Sequence, residues 1–285
     1  MKIAGVITLY HPNKDVVEHI LSYLPEIEVL YVLDNSEQPN NDISNKLSSM
    51  PKIQYISFGR NTGISYALNY ALKKAYTSGY EYLLTMDQDS SFSDGMMKDY
   101  KNCIEKYIEA KKSNLIAMFC VCYTDIAQVE KNNCKSHFIL NGITSGSIVP
   151  IKLAIENGGF DENLFIDEVD SEYCYRMENR GYKILEFPQI KLNHSLGNPT
   201  NHHILGYNYT TYNHNALRRY YITRNKIYVL KKYPQLQRKY IKDIIRSSAF
   251  ILMGENDKLS KLCMTLKGLR DGIFNRMGKY PFNKE

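Results

Sequence analysis

Residues 2–9, 29–33 and 53–58 are short runs of Val, Ile, Leu and Tyr, each closed by turn residues. Such runs predict buried strands of a parallel sheet. A fourth run, Tyr82-Leu83-Leu84, leads straight into Asp87 and Asp89. Between the runs the period changes. Val16, Ile20 and Leu24 recur at helical spacing, and Ile64, Leu68, Ala71, Leu72 and Ala75 share one helical face. The turn Gly59-Arg60-Asn61-Thr62-Gly63 opens that second helix and Gly79 closes it. The predicted order is β-α-β-β-α-β, a mostly parallel, Rossmann-like α/β sheet flanked by helices.

Further along, residues 97–110 read as a helix, 115–123 as a strand and 125–136 as a polar loop. Thr144-Ser145-Gly146-Ser147 is a run of small residues that lets backbone approach a ligand. Residues 158–161 form a turn, 182–192 a final strand or hairpin, and 198–215 an Asn/Tyr-rich mobile loop or lid. A helical region follows over 218–250, interrupted at Pro234. In the last segment, 259–277, Leu262, Leu266, Leu269 and Ile273 share a face. The predicted division is an α/β domain over 1–215 and a basic, mostly helical C-terminal extension over 216–285.

The chain has 285 residues and a net charge of +6, with the cations concentrated late. Ten Lys/Arg face one acid between Arg218 and Arg246. That bias suits a polyanion or an anionic membrane surface, or else a solvated helical face. Two readings of the last amphipathic segment therefore stand open: packing on the α/β domain, or lying on a membrane. The six cysteines lack zinc-type spacing and are expected as free thiols of a cytoplasmic protein. The N-terminal run is too short and strand-like for a signal peptide, and no stretch is apolar enough to span a bilayer.

The candidate chemistry begins at Asp87 and Asp89. Ligands of open α/β sheets collect at the carboxyl ends of strands. Two neighbouring carboxylates there need a cation, and magnesium takes carboxylates together with substrate phosphates. Alone, an Asp-x-Asp is more often a capped loop. However, Tyr10, Asp34, Asn61 and Asp87 end or follow four successive strands, a pattern suited to a nucleotide. The glycine turn matches neither a dinucleotide fingerprint nor a P-loop. A second acidic cluster, Asp167, Glu168, Asp170 and Glu172, lies among Phe165, Ile166 and Val169. Helix capping explains one or two of these acids; a general base would need another. His194 follows the last strand and is a candidate at phosphate or metal.

With these motifs the chain resembles the inverting nucleotide-sugar glycosyltransferases of family 2, and among them the bacterial rhamnosyltransferases of cell-surface polysaccharide synthesis. The resemblance is carried by Asp34-Asn35-Ser36, Asn61-Thr62-Gly63, Met86-Asp87-Gln88-Asp89, Ser145-Gly146, Gly159-Phe160-Asp161 and Asp170-Ser171-Glu172-Tyr173-Cys174-Tyr175-Arg176. It covers roughly residues 1–230 and implies a GT-A fold. It implies that Tyr10, Asp34, Asn61, Asp87 and Ser145 hold the nucleotide. Asp89 would bind Mg²⁺ or Mn²⁺ with His194 near the phosphates, and Asp170 would be the catalytic base. Val169 stands where the family has a Glu, which leaves a share of that role open to Asp167 or Glu168. The implied donor is dTDP-L-rhamnose. The implied acceptor is a glycan or a lipid-linked oligosaccharide at the inner membrane face, where peripheral contact with anionic lipid is expected. A UDP-hexose donor and a nucleotide-sugar binding protein without transfer are the alternatives. A nucleotidyltransferase would want a basic, glycine-rich loop near the first strand, and no nucleic-acid module is present.

Overall fold

The computed structural model describes residues 1–111, 115–123, 134–194, 200–204 and 207–281. By compactness the chain divides into two units. One comprises 1–161 and 169–194; the other comprises 162–168 and 195–285.

The first unit is built on a sheet whose path is β3-β2-β1-β4-β8-β6-β9-β5, with β7 paired to β9. Strands β1 (Ile3–Leu9), β2 (Val29–Asp34), β3 (Ile53–Ser57) and β4 (Tyr82–Asp87) run parallel; β1, β2 and β4 are the buried apolar runs, and β3 is a partly exposed edge. Helices α1 (Val16–Leu21) and α3 (Ile64–Thr77) are crossovers at the predicted places. A third crossover, α2 (Asn41–Ser48), corrects the predicted order. Parallel neighbours need a crossover, and here Asn40 caps it by accepting from the Asp42 and Ile43 amides. Only Ile43 and Leu47 of α2 are buried, each worth about 1.5–3 kcal/mol.

After β4, a short strand β5 (Ser90–Phe92) precedes α4 (Met96–Lys111) and β6 (Ile116–Cys122). Strands β7 (His137–Ile139) and β8 (Ser147–Pro150) follow, then α5 (Ile151–Glu156), α6 (Val169–Asn179) and β9 (Lys183–His194). Strand β8 is antiparallel to β4 and β6, so its start and the end of β6 reach the same edge of the sheet as the end of β4. The core lies on β1, β4, β6 and β9, with Tyr100, Phe119 and Phe187 among its largest buried rings. Cys103 and Cys134 are joined by a disulfide, which corrects the expectation of six free thiols. Most of the expected loop 125–136 lies outside the described residues.

The second unit holds a hairpin and three long helices. The polar stretch expected as a mobile loop is in part the antiparallel pair β10 (Thr200–Ile204) and β11 (Tyr207–Thr211). Helices α7 (Ala216–Lys232), α8 (Gln237–Gly254) and α9 (Lys258–Ile273) follow. Helix α9 packs on α7 through its small and polar side. A Cβ on Gly268 would come within 2.6 Å of the Tyr220 carbonyl, and one on Gly272 within 2.7 Å of the Arg224 carbonyl. Among the described residues no helix is long and apolar enough to cross a membrane.

Candidate active site

Strand register brings the predicted nucleotide residues of the first unit to one edge. Leu9 pairs with Asp34, Thr8 with Asp87, and Asp34 with Ser57, so Tyr10, Asp34 and Asp87 mark the carboxyl ends of adjacent strands. Asp34 is buried. One carboxylate oxygen accepts from the Tyr55 hydroxyl at 2.5 Å and the other from the Ser36 amide at 2.8 Å. Burial, and then this bond, push the Tyr55 phenol up, so it stays a donor. Asn35 joins this motif to the glycine turn: its side chain donates to the Gly63 carbonyl and accepts from the Thr62 hydroxyl at 2.7 Å. Asn61 accepts from the Gly63 amide at 3.0 Å, an Asx turn. Gly63 has φ +86°, which glycine adopts without strain.

Gln88, between the two acids, is spent on the loop after β1. Its side chain accepts from the Tyr10 amide at 2.8 Å and donates to the Tyr10 carbonyl at 3.2 Å. Its carbonyl meets His19 Nδ1 at 2.9 Å. The Gln88-Asp89 turn joins β4 to β5, leaving Asp87 half-buried and Asp89 exposed. Beneath it, Ser145 accepts from the Asp87 amide at 3.2 Å and donates to the Ser90 hydroxyl at 2.8 Å. Ser145 is thus buried and supports the Asp87 backbone. Strand β5 pairs with β9 so that Ser90 lies opposite His194, which sets the His194 backbone one position from Asp89. The His194 side chain lies outside the described atoms.

Among the described residues, no group of three or more His, Cys, Asp and Glu could hold a metal ion by itself. Asp87 and Asp89 still fit magnesium or manganese. They are hard oxygen donors on one turn, and such ions commonly take one or two carboxylates and complete the sphere with phosphate and water.

The second acidic cluster divides. Glu172 is fully buried and takes Arg176 Nε at 3.2 and 3.1 Å on its two oxygens. Arg176 also donates to the Asn157 and Gly159 carbonyls, tying α6 to the Gly158-Gly159 turn. Asp170, in the first turn of α6, accepts from the Ser171 amide at 2.8 Å. Asn141 donates to the Ser171 hydroxyl at 3.1 Å. Asp167 and Glu168 belong to the second unit, where Arg218 reaches Asp167 at 2.7 Å and Tyr240 donates to Glu168 at 2.5 Å. Both have positive φ, +66° and +61°, and Asn225 donates to the carbonyls of Ile166 and Asp167.

Tyr123 links the two acidic clusters of the first unit. Its hydroxyl donates to the Ser145 carbonyl. Burial first, and then neighbouring acidic groups that include both Asp87 and Asp170, push its phenol well above the ordinary value. Asp87 and Asp170, 83 residues apart in sequence, therefore act on the same side chain. Burial also pushes the Cys120 thiol up to about 12 and raises Cys174. Neither thiol is a nucleophile near neutral pH. Sequence reading missed Tyr123, Tyr55, Gln88 and the support role of Ser90. Only the half-buried alternation of β3 hinted at Tyr55.

With that geometry, comparison with known proteins defines the class. Residues 14–141 match the model of glycosyl transferase family 2, and together with the full-length likeness below this makes the chain a glycosyltransferase. It is 26% identical over 303 residues to "dTDP-rhamnosyl transferase RfbF" of Shigella flexneri, covering 99% of this chain and 98% of that one. Among solved structures it resembles S. aureus TarS 1-349 in complex with UDP-GlcNAc, with a TM-score of 0.59 and 16% identity. That match covers 96% of this chain and 81% of TarS 1-349. It also resembles GalNAc-T7 with UDP, GalNAc and Mn²⁺, with a TM-score of 0.60 and 12% identity. There it covers 96% of this chain but only 56% of GalNAc-T7. At such identities these structures speak for the fold, which is GT-A.

Proposed function

We propose that this glycosyltransferase moves L-rhamnose from dTDP-L-rhamnose to a hydroxyl of a cell-surface glycan or lipid-linked oligosaccharide, with inversion, at the cytoplasmic face of the membrane. The observation that carries the reading is the register that sets Asp34 and Asp87 at one sheet edge, with Ser145 bracing the Asp87 amide and Asn141 of the same segment bonded to Ser171 beside Asp170. It supports a donor site and a base in one region of the first unit. The full-length likeness to a dTDP-rhamnosyl transferase supports the donor.

In this mechanism Asp34 and Asn61 hold the nucleoside, with the Asp34 carboxylate fixed by Tyr55. Asp87 meets the ribose from a backbone braced by Ser145. Asp89 would hold Mg²⁺ or Mn²⁺, with His194 near the phosphates. That ion would supply charge neutralisation to the leaving diphosphate. Asp170 takes the proton of the acceptor hydroxyl, which attacks the anomeric carbon opposite the leaving group. One displacement needs no enzyme nucleophile, in keeping with the raised Cys120 and Cys174 thiols. The structural partners of Asp167, Glu168 and Glu172 favour Asp170 as the base.

The test is a donor screen with mass detection of released nucleotide, using dTDP-L-rhamnose and UDP-hexoses, with and without Mg²⁺ or Mn²⁺. Metal-dependent release of dTDP with transfer to a glycan acceptor is expected. Release from a UDP-hexose alone would change the donor. Nucleotide-sugar binding without turnover on any donor or acceptor would remove the enzyme reading.

A further inference from the structure

Helix α8 has 18 residues and buries only Tyr240 and Ile251. One face carries Arg238, Ile241, Lys242, Ile245 and Arg246 around an open depression, and continues to Leu252 and Met253. These positions fall at i, i+3, i+4, i+7, i+8, i+14 and i+15, a single stripe. Ile245 is 65% exposed and Leu252 is 55% exposed. Four large apolar side chains on a solvent face need an occupant.

Helix α9 repeats the pattern. Of its predicted apolar stripe, Leu262 and Leu269 are half-buried and Leu266 and Ile273 exposed. Leu259, Leu266 and Ile273, seven residues apart, are exposed, with Lys258 and Arg270 beside them. The buried side is Lys261, Thr265, Gly268, Asp271 and Gly272.

The charges select the occupant. Of the four acids of 237–281, Glu255 is buried against Arg219 and Lys261, Asp271 is buried against Arg270 and Tyr220, and Asp257 is exposed at the start of α9. Asp243 lies between Lys226 at 3.3 Å and Arg246 at 3.5 Å, so it offsets only part of the α8 charge. A second copy seated on α8 by a twofold axis would set Arg238, Lys242 and Arg246 against the same three cations. A nucleic-acid backbone would leave Ile241, Ile245, Leu252 and Met253 without an apolar partner. A bilayer with anionic headgroups answers both halves of the stripe at once.

We propose that the outward faces of α8 and α9 form a docking surface for an anionic lipid bilayer, with Ile241, Ile245, Leu252 and Leu266 entering the headgroup–acyl boundary and Arg238, Lys242 and Arg246 meeting lipid phosphates. Its purpose, meeting a lipid-linked acceptor, rests on the proposed function; the binding itself does not.

The experiment is flotation of the full chain with vesicles of mixed phosphatidylglycerol and phosphatidylcholine, against pure phosphatidylcholine. The protein is expected to float with the mixed vesicles only, less so at high salt. The triple variant Arg238→Gln/Lys242→Gln/Arg246→Gln is expected to lose roughly fivefold in partitioning per cation. The pair Ile241→Ser/Ile245→Ser tests the apolar half. Both sets change exposed positions, so an unchanged melting transition establishes that they fold. Absence of flotation by the native chain, equal flotation of all variants, or a dimer by light scattering that Ile245→Ser dissolves would each overturn the proposal. Donor turnover by the same samples is read separately, so failure of the glycosyltransfer reading leaves the flotation result standing.

Discussion

The side-chain amide of Asn69 exchanges two hydrogen bonds with the backbone of Phe160, donating to its carbonyl and accepting from its amide, both at 2.8 Å. The pair joins α3 to the turn that follows α5, 91 residues away in sequence. It also explains the neighbouring glycine, because a Cβ on Gly159 would lie 2.4 Å from Asn69 Oδ1. Asn69→Ala leaves two backbone groups of Phe160 buried without their partner. The expected loss is about 2–6 kcal/mol, at about 1–3 kcal/mol for each unsatisfied group. Urea unfolding checks it; a loss under about 0.5 kcal/mol, the level of a neutral surface change, would mean the amide pair is incidental.

Asp89→Ala and Asp170→Asn should separate binding from chemistry. Asp89 is exposed on the strand-end turn, so its loss is expected to weaken metal-dependent donor binding. Asp170→Asn is expected to leave donor affinity intact and lower transfer by about 10²–10⁴-fold, the usual contribution of a general base. Calorimetric titration with dTDP and single-turnover transfer measure the two effects. Full transfer by Asp170→Asn would move the base to Asp167 or Glu168.

Much of the sheet was legible because β1, β2 and β4 are buried on both faces, so their sequences are unbroken apolar runs. Helix α2 was not, since Ile43 and Leu47 are its only buried apolar positions and its other residues favour turns. Strand β5, Ser90-Ser91-Phe92, is too short to show a period. The side of α9 that packs on α7 was not legible for a different reason. Glycines let α7 and α9 approach backbone to backbone, so the buried side needs no leucine. At the site, the acids could be read from their order at strand ends. Tyr55 and Tyr123 could not, because what makes them matter is a partner 21 or 22 residues away.

Arg176→Met should be far more damaging than its position on a helix surface would suggest. It takes the guanidinium away from the Glu172 carboxylate, which is wholly buried, and removes donors from the Asn157 and Gly159 carbonyls. Breaking a buried pair from one side costs about 3–5 kcal/mol. Replacing both partners, Glu172→Leu with Arg176→Met, removes the buried charge as well and is expected to recover part of that loss. A double-mutant cycle by urea unfolding reads the coupling. Simple additivity would contradict it.

The stability of the protein should fall between neutral pH and pH 5, partly through His214. Burial, then the cations Arg218 and Arg219, lower its pKa from 6.5 to about 4; Glu255 opposes this and Lys261 adds to it. The imidazole is therefore neutral in the folded chain at pH 5, whereas the unfolded chain binds a proton there. Wherever the unfolded state holds more protons, stability rises with pH, so it must decline as pH falls from 6.5 toward about 4. His214→Gln keeps a neutral polar side chain and cannot titrate. The variant is expected to show a shallower loss of urea midpoint between pH 7 and pH 5 than the native chain. Parallel pH profiles for the two proteins would show that His214 titrates alike in both states.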